Sequence, residues 1–109
     1  MQQTKTKSKV NTFKAKIFKA LADPVRLDII NLMRDGEKCV CEIVPKVGAI
    51  QPVVSRHLKI LKSCGILKER KSGNRRLYSI TDQRIFRVID ALTAELVESL
   101  SESMLEQII

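Results

Sequence analysis

The sequence predicts a mainly α domain with a small β-hairpin: a winged helix-turn-helix of about five helices plus a two-stranded wing. Three observations predict it. The stretch from Gln51 to Gly65 reads as a helix with an apolar stripe (Val54, Leu58, Leu61) and a cationic, hydroxyl-bearing face. A shorter helix precedes it across a tight Gly48-Ala49-Ile50 turn. Two strand-like runs follow it, joined by Ser72-Gly73-Asn74, which is turn chemistry.

Residues 1–11 are polar and lysine-rich and read as a disordered basic arm. Residues 12–109 read as the winged helix-turn-helix domain. Thr12 can cap a first helix whose apolar face is Phe13, Ile17, Phe18 and Leu21. Asp23-Pro24 stops that helix and starts the next, with Asp23 as N-cap and Pro24 at the first position. The second helix carries Val25, Leu27, Ile29, Ile30, Leu32 and Met33, which marks it as the core. Glu37 to Val47 reads as a third, short helix with Val40, Ile43, Val44 and Val47 inward and Pro45 awkward within it. In the fourth helix Pro52 suits the first turn and Gly65 the left-handed end. Ile66–Lys71 and Arg75–Ile80 form the wing, with Tyr78 and Ile80 returning to the core. Thr81 or Asp82 caps a long final helix, about 82–106, on which Ile85, Ile89, Leu92, Leu96, Leu100 and Met104 recur at three- or four-residue steps. That is more apolar surface than so small a domain can cover. It predicts a homodimer with this helix and the first helix in the interface.

Composition narrows the function. The chain has 109 residues and a formal net charge of +8, which favours a polyanionic partner. No apolar run reaches transmembrane length and no signal-peptide pattern opens the chain, so a cytoplasmic protein without membrane attachment is expected. The cysteine count of three fits a reducing compartment. Aromatic content is low, which argues against single-strand binding by base stacking. The cations gather in the middle of the chain, while Glu95, Glu98, Glu102 and Glu106 make the tail acidic. Double-stranded DNA is therefore expected at the fourth helix and wing. Gln51, Ser55, Arg56 and Lys59 are the candidates for the major groove and Lys62, Arg75 and Arg76 for the phosphates; Lys71, beside the wing turn, is within reach of a phosphate backbone or a minor groove, His57 suits phosphate contact or packing, and Pro52 and Asn74 complete the DNA-binding set. An enzyme is not expected: His57 with Cys64 or the Cys39/Cys41 thiols is the sole nucleophile–base option, and no Gly-rich phosphate loop or paired carboxylates support it.

Cys39-Val40-Cys41 is the sharpest chemical feature. Two thiols suit soft ions such as arsenite, antimonite, cadmium or zinc. Two residues apart on a regular helix is about 200° of rotation, so both sulfurs can meet one ion only if this helix end is distorted. Exposed thiols so close in sequence also oxidise readily, which gives a redox or reactive-sulfur switch as the alternative. A winged-helix DNA- or RNA-binding protein without an effector is the third reading.

Several segments together resemble one family. Phe18-Lys19-Ala20-Leu21-Ala22-Asp23-Pro24-Val25-Arg26-Leu27 is similar to the opening signature of the ArsR/SmtB arsenic- and metal-responsive repressors. Gln51-Pro52-Val53-Val54-Ser55-Arg56-His57-Leu58 resembles their recognition helix, and Gly65-Ile66-Leu67 with Arg75-Arg76-Leu77-Tyr78-Ser79-Ile80 their wing. The resemblance implies a homodimeric repressor that leaves operator DNA on binding an effector. It implies Cys39 and Cys41 as ligands, with arsenite, antimonite or a soft divalent metal as effector. The arsenic type has a third cysteine where this chain has Val44, so a third ligand must come from Cys64, the other subunit or a small thiol. The family's site on the last helix uses Asp and His; with His57 the sole histidine, a zinc site there is not expected.

Overall fold

The computed structural model describes residues 2–108. Six α-helices and a three-stranded antiparallel sheet follow in the order α1 (Gln2–Leu21), α2 (Pro24–Leu32), a 3-10 turn (Met33–Asp35), β1 (Lys38–Cys39), α3 (Val40–Val47), α4 (Gln51–Ser63), β2 (Leu67–Ser72), β3 (Arg75–Ile80), α5 (Ile85–Ala91) and α6 (Ala94–Ile108). The sheet order is β1-β3-β2, so the hairpin of the wing gains a short third strand at its root. Lys38 pairs with Tyr78 and Cys39 with Leu77.

The core lies where α2, α3 and α4 meet the base of the sheet. Ile29, Ile30, Ile43, Val54, Leu58 and Leu61 are fully buried, and Tyr78 and Ile80 do return to this core. Asp23 caps α2: its carboxylate accepts from the backbone N–H groups of Val25 (2.8 Å) and Arg26 (3.1 Å). These bonds hold its pKa below the usual carboxylate range, the bond from Arg26 most. Helix α4 ends as the sequence anticipates. Gly65 takes φ +84°, its N–H donates to Lys62 and that of Ile66 to Leu61, a pair of bonds that closes the helix.

Four expectations change. Residues read as a disordered arm are helical from Gln2, and Thr12 lies inside α1 rather than capping it. The segment contains neither Gly nor Pro, and Lys and Gln are good helix formers; Met1 lies outside the described residues. The third helix does not begin near Glu37. Lys38–Cys39 is drawn into the sheet first, because the edge of β3 offers backbone partners at Leu77 and Tyr78. The final helix is two helices. Leu92 leaves helical geometry, and Thr93 starts α6 by accepting the N–H of Leu96 on its hydroxyl (3.2 Å). Helices therefore number six rather than five, and the strands three rather than two.

Candidate nucleic-acid interface

Helix α4 is fixed from its inner face. Val54, Leu58 and Leu61 are fully buried, which leaves Gln51, Pro52, Ser55, Arg56, Lys59 and Lys62 exposed on the other side. Pro52 is tolerated because a first-turn residue needs no backbone donor. Arg56 and Lys59 have no ion-pair partner among the described residues. Two unpaired cations and a hydroxyl on one helix face suit a polyanion and the donor–acceptor pattern of a major groove.

His57 is placed differently. Its ring is half-buried, and Nδ1 lies 3.1 Å from Arg26 Nη1. Arginine can only donate, so in this contact Nδ1 is the accepting atom. Arg26 also donates through Nε to the Ala20 carbonyl (2.6 Å) and through Nη2 to that of Lys19 (3.4 Å). One side chain thus satisfies carbonyls at the end of α1 and ties them to the reading helix. The sequence reading missed this role; an arginine three residues after a capping Asp was the available signal.

The wing presents Lys71, Asn74, Arg75 and Arg76, all exposed at or beside the tip. Ion pairs brace it. Arg70 bonds to Glu37 (3.0 Å from Nε to Oε2), and Lys62 of α4 reaches Glu69 at 3.1 Å. Arg76 is 3.7 Å from the same carboxylate. Lys62 and Arg76, expected to hold phosphates, are therefore shared with an internal acid. Glu69 faces Tyr78 across the sheet, and the phenol's hydrogen bond, with Lys62, keeps this carboxylate below its ordinary pKa. Burial, with Glu69 beside it, pushes Tyr78 up to about 12.

Beside the wing lie the cysteines. Cys39 is buried and Cys41 exposed, with Cα atoms 5.2 Å apart and the two sulfurs bonded to each other. The 200° objection does not apply. Cys39 precedes the helix in extended conformation (φ −85°, ψ 160°), so its side chain turns toward that of Cys41 without distortion of α3. Glu42 fixes this start by accepting the Cys39 N–H (3.1 Å). An open cleft of about 470 Å³ lies against the pair, lined also by Gln51 of α4 and by Asn74, Arg75 and Arg76 of the wing. Cys64 does not join it. It packs at the other end of α4 and donates to the Leu61 carbonyl (3.3 Å); thirteen helical residues separate the ends by about 20 Å. Among the described residues no group of three His, Cys, Asp or Glu side chains gathers to hold an ion. Asp82, just before α5, bonds to Arg84, and Asp90 of α5 bonds to Arg34, so both carboxylates already have cationic partners.

Other apolar residues are left outside, on α1 and α6. Phe13 and Phe18 on α1, and Leu96, Val97, Leu100, Met104 and Leu105 on α6, are all exposed, and α6 buries no residue. The radius of gyration is 16.7 Å against about 13 Å for a compact chain of this length. No helix among the described residues is long and apolar enough to cross a membrane.

Known proteins share this arrangement. The family described as "Bacterial regulatory protein, arsR family" matches residues 23–69. An uncharacterized HTH-type transcriptional regulator of Methanocaldococcus jannaschii is 46% identical over 76 residues, 69% of this chain and 85% of that protein. The HTH-type transcriptional repressor SmtB of Mycobacterium tuberculosis is 38% identical over 67% of this chain. An arsenical resistance operon repressor of Staphylococcus xylosus is 36% identical over 62% of it. The chain spans only 54% and 64% of those two relatives' lengths. Among solved structures, the homodimeric winged helix-turn-helix domain of a possible ArsR-family regulator from Mycobacterium bovis superposes with a TM-score of 0.71 at 31% identity, over 93% of this chain and 89% of that one.

Proposed function

The chain belongs to the ArsR family of bacterial regulatory proteins and has its winged helix-turn-helix fold, and from that premise we propose that it works as a homodimeric, sequence-specific repressor that reads operator DNA. The observation that carries the proposal is the outer face of α4, where Gln51, Ser55, Arg56 and Lys59 stand exposed over a fully buried stripe. Arg56 and Gln51 address base edges, Lys59 and the wing cations Lys71 and Arg76 address phosphates, and Asn74 sits at the tip between them. Pairing of the apolar faces of α6 and α1 with a second copy sets two reading helices roughly 34–36 Å apart, one turn of duplex. Binding that separates a selected palindrome from random DNA of equal length is the expected result in a mobility-shift titration. Equal binding to both would leave only a charge-driven architectural protein.

The effector acts at Cys39 and Cys41. Two sulfurs on one side of a cleft suit a thiol-seeking metalloid such as arsenite or antimonite, and an arsenical resistance repressor among the relatives supports that class. With two protein sulfurs, the third position falls to water or a small thiol. The bonded sulfurs favour a second reading, in which formation of the disulfide is itself the signal. Release assays separate the two: arsenite acts on the reduced protein in the first, and an oxidant alone suffices in the second. Release that survives Cys39→Ser with Cys41→Ser would remove the pair from both.

A further inference from the structure

The cysteine pair and the wing touch at one side chain. Arg75 opens β3, and its Nη2 lies 3.4 Å from Cys39 Sγ and 3.6 Å from Cys41 Sγ. Glu42 Oε1 is 3.9 Å from the same guanidinium. A planar guanidinium has a fixed set of donors; those turned to the sulfurs and Glu42 are turned away from a phosphate. The backbone adds a second link. Cys39 pairs with Leu77, two residues along β3 from Arg75, so the pair and the root of the wing belong to one sheet. The cleft against the sulfurs is lined by Arg75 itself and also by Gln51 of α4.

We propose that Arg75 is the positioning residue that couples the state of Cys39 and Cys41 to DNA binding. This rests on the proposed reading of the pair as the effector site. With the sulfurs bonded to each other the guanidinium tethers the wing tip to the start of α3, and we carry this tether over to the reduced, effector-free protein. An adduct bridging both sulfurs occupies the space that the guanidinium fills. Arg75 is expelled, the tether is lost, and the wing no longer meets the duplex together with α4. The competing route runs through the core, from α3 to α4 by way of Ile43 and Val44, and needs no Arg75.

A double-mutant cycle on the full, reduced chain separates these routes. Phenylarsonous acid is the probe: its two hydroxyls leave as water while the two thiols form two S–As bonds, with no change of oxidation state. The quantity read is the ratio of operator dissociation constants with and without probe, by fluorescence anisotropy. In the unmodified protein the ratio should lie in the range of about 5–150 usual for coupled sites. Arg76→Gln removes the same charge one residue away; it weakens binding but keeps the ratio. Arg75→Gln weakens binding and brings the ratio to within about twofold of one. Arg75→Lys keeps the positive charge without the planar fork; because the tether is lost it too weakens binding and brings the ratio toward one, which separates loss of the fork from loss of charge. Thermal melts with and without probe check that each variant is folded and captures the arsenical. A full ratio in Arg75→Gln overturns the assignment and leaves the core route. No ratio in the unmodified protein overturns both this assignment and the effector reading on which it stands.

Discussion

Between Asp23 and Ile80 the large apolar residues mostly find partners within the chain; along α6 they do not. Ile29, Ile30, Ile43, Leu58 and Leu61 are fully buried, whereas Leu96, Val97, Leu100, Met104 and Leu105 are 42% to 58% exposed. Charge divides the same way. The reading helix has no acid from Gln51 to Ser63, and α6 has no Lys or Arg from Ala94 to Ile108. A small winged unit can close its own core, but its terminal helix is an apolar face without a cover. The contrast teaches that the closed core and the uncovered apolar face lie in separate segments, and on the proposed reading the acidic segment is the one that lies away from DNA.

The separation can be broken from either side. The largest effect should follow Leu100→Glu, which sets a charge in the centre of the unpaired α6 face. Sedimentation should show a monomer, and operator affinity should fall about 100-fold or more, as for any pair of linked reading modules that loses its link. Amide exchange within α4 should stay slow; rapid exchange there would mean that the winged unit depends on the dimer. Leu58→Ala tests the opposite side. It removes a fully buried side chain and should cost about 2–5 kcal/mol in denaturant unfolding.

How much of this was legible in the sequence follows from the range of the forces involved. The caps at Asp23 and Gly65 and the stripe on α4 depend on neighbours within one or two turns, and the sequence reads them correctly. The break at Thr93 is just as local, but its signal is a single hydroxyl in an otherwise continuous apolar repeat. What stayed hidden joins segments far apart: β1 against β3, Arg26 against His57, Arg75 against the cysteines. The cysteine geometry failed for the same reason. Local pattern runs a helix through Cys39, whereas pairing with Leu77 holds that residue out of it.

Within the winged unit the interface cations can be ranked. Arg56→Ala should cost about 1–3 kcal/mol of operator binding and relax sequence preference at one position, if the side chain reaches a base. Lys59→Ala should weaken binding to all sequences alike and lower the salt slope by about one. Competition titrations at two salt concentrations distinguish them. Equal loss of specificity in both variants would refute the division of roles on α4. Neither change should alter the dimer, because both side chains are exposed on the outer face of α4.

The smallest effect concerns the root of the wing, where the unit shuts out water. Tyr78 is the sole tyrosine and there is no tryptophan, so phenolate absorbance reports one site. Burial and the neighbouring Glu69 carboxylate raise its pKa to about 12 from an ordinary 10.0. A raised folded-state pKa means that the neutral phenol is favoured by folding. The stabilisation is complete below about pH 10 and is lost as pH rises through about 12. The absorbance midpoint should accordingly lie near 12 in the native protein. Glu69→Gln should move it down without returning it to the ordinary value, because burial is the larger cause. Tyr78→Phe should flatten the alkaline end of the stability profile while leaving it near neutral pH little changed. A native midpoint near 10 would show that water reaches the Tyr78 hydroxyl, and that the sheet joining wing and cysteines is looser than its register implies.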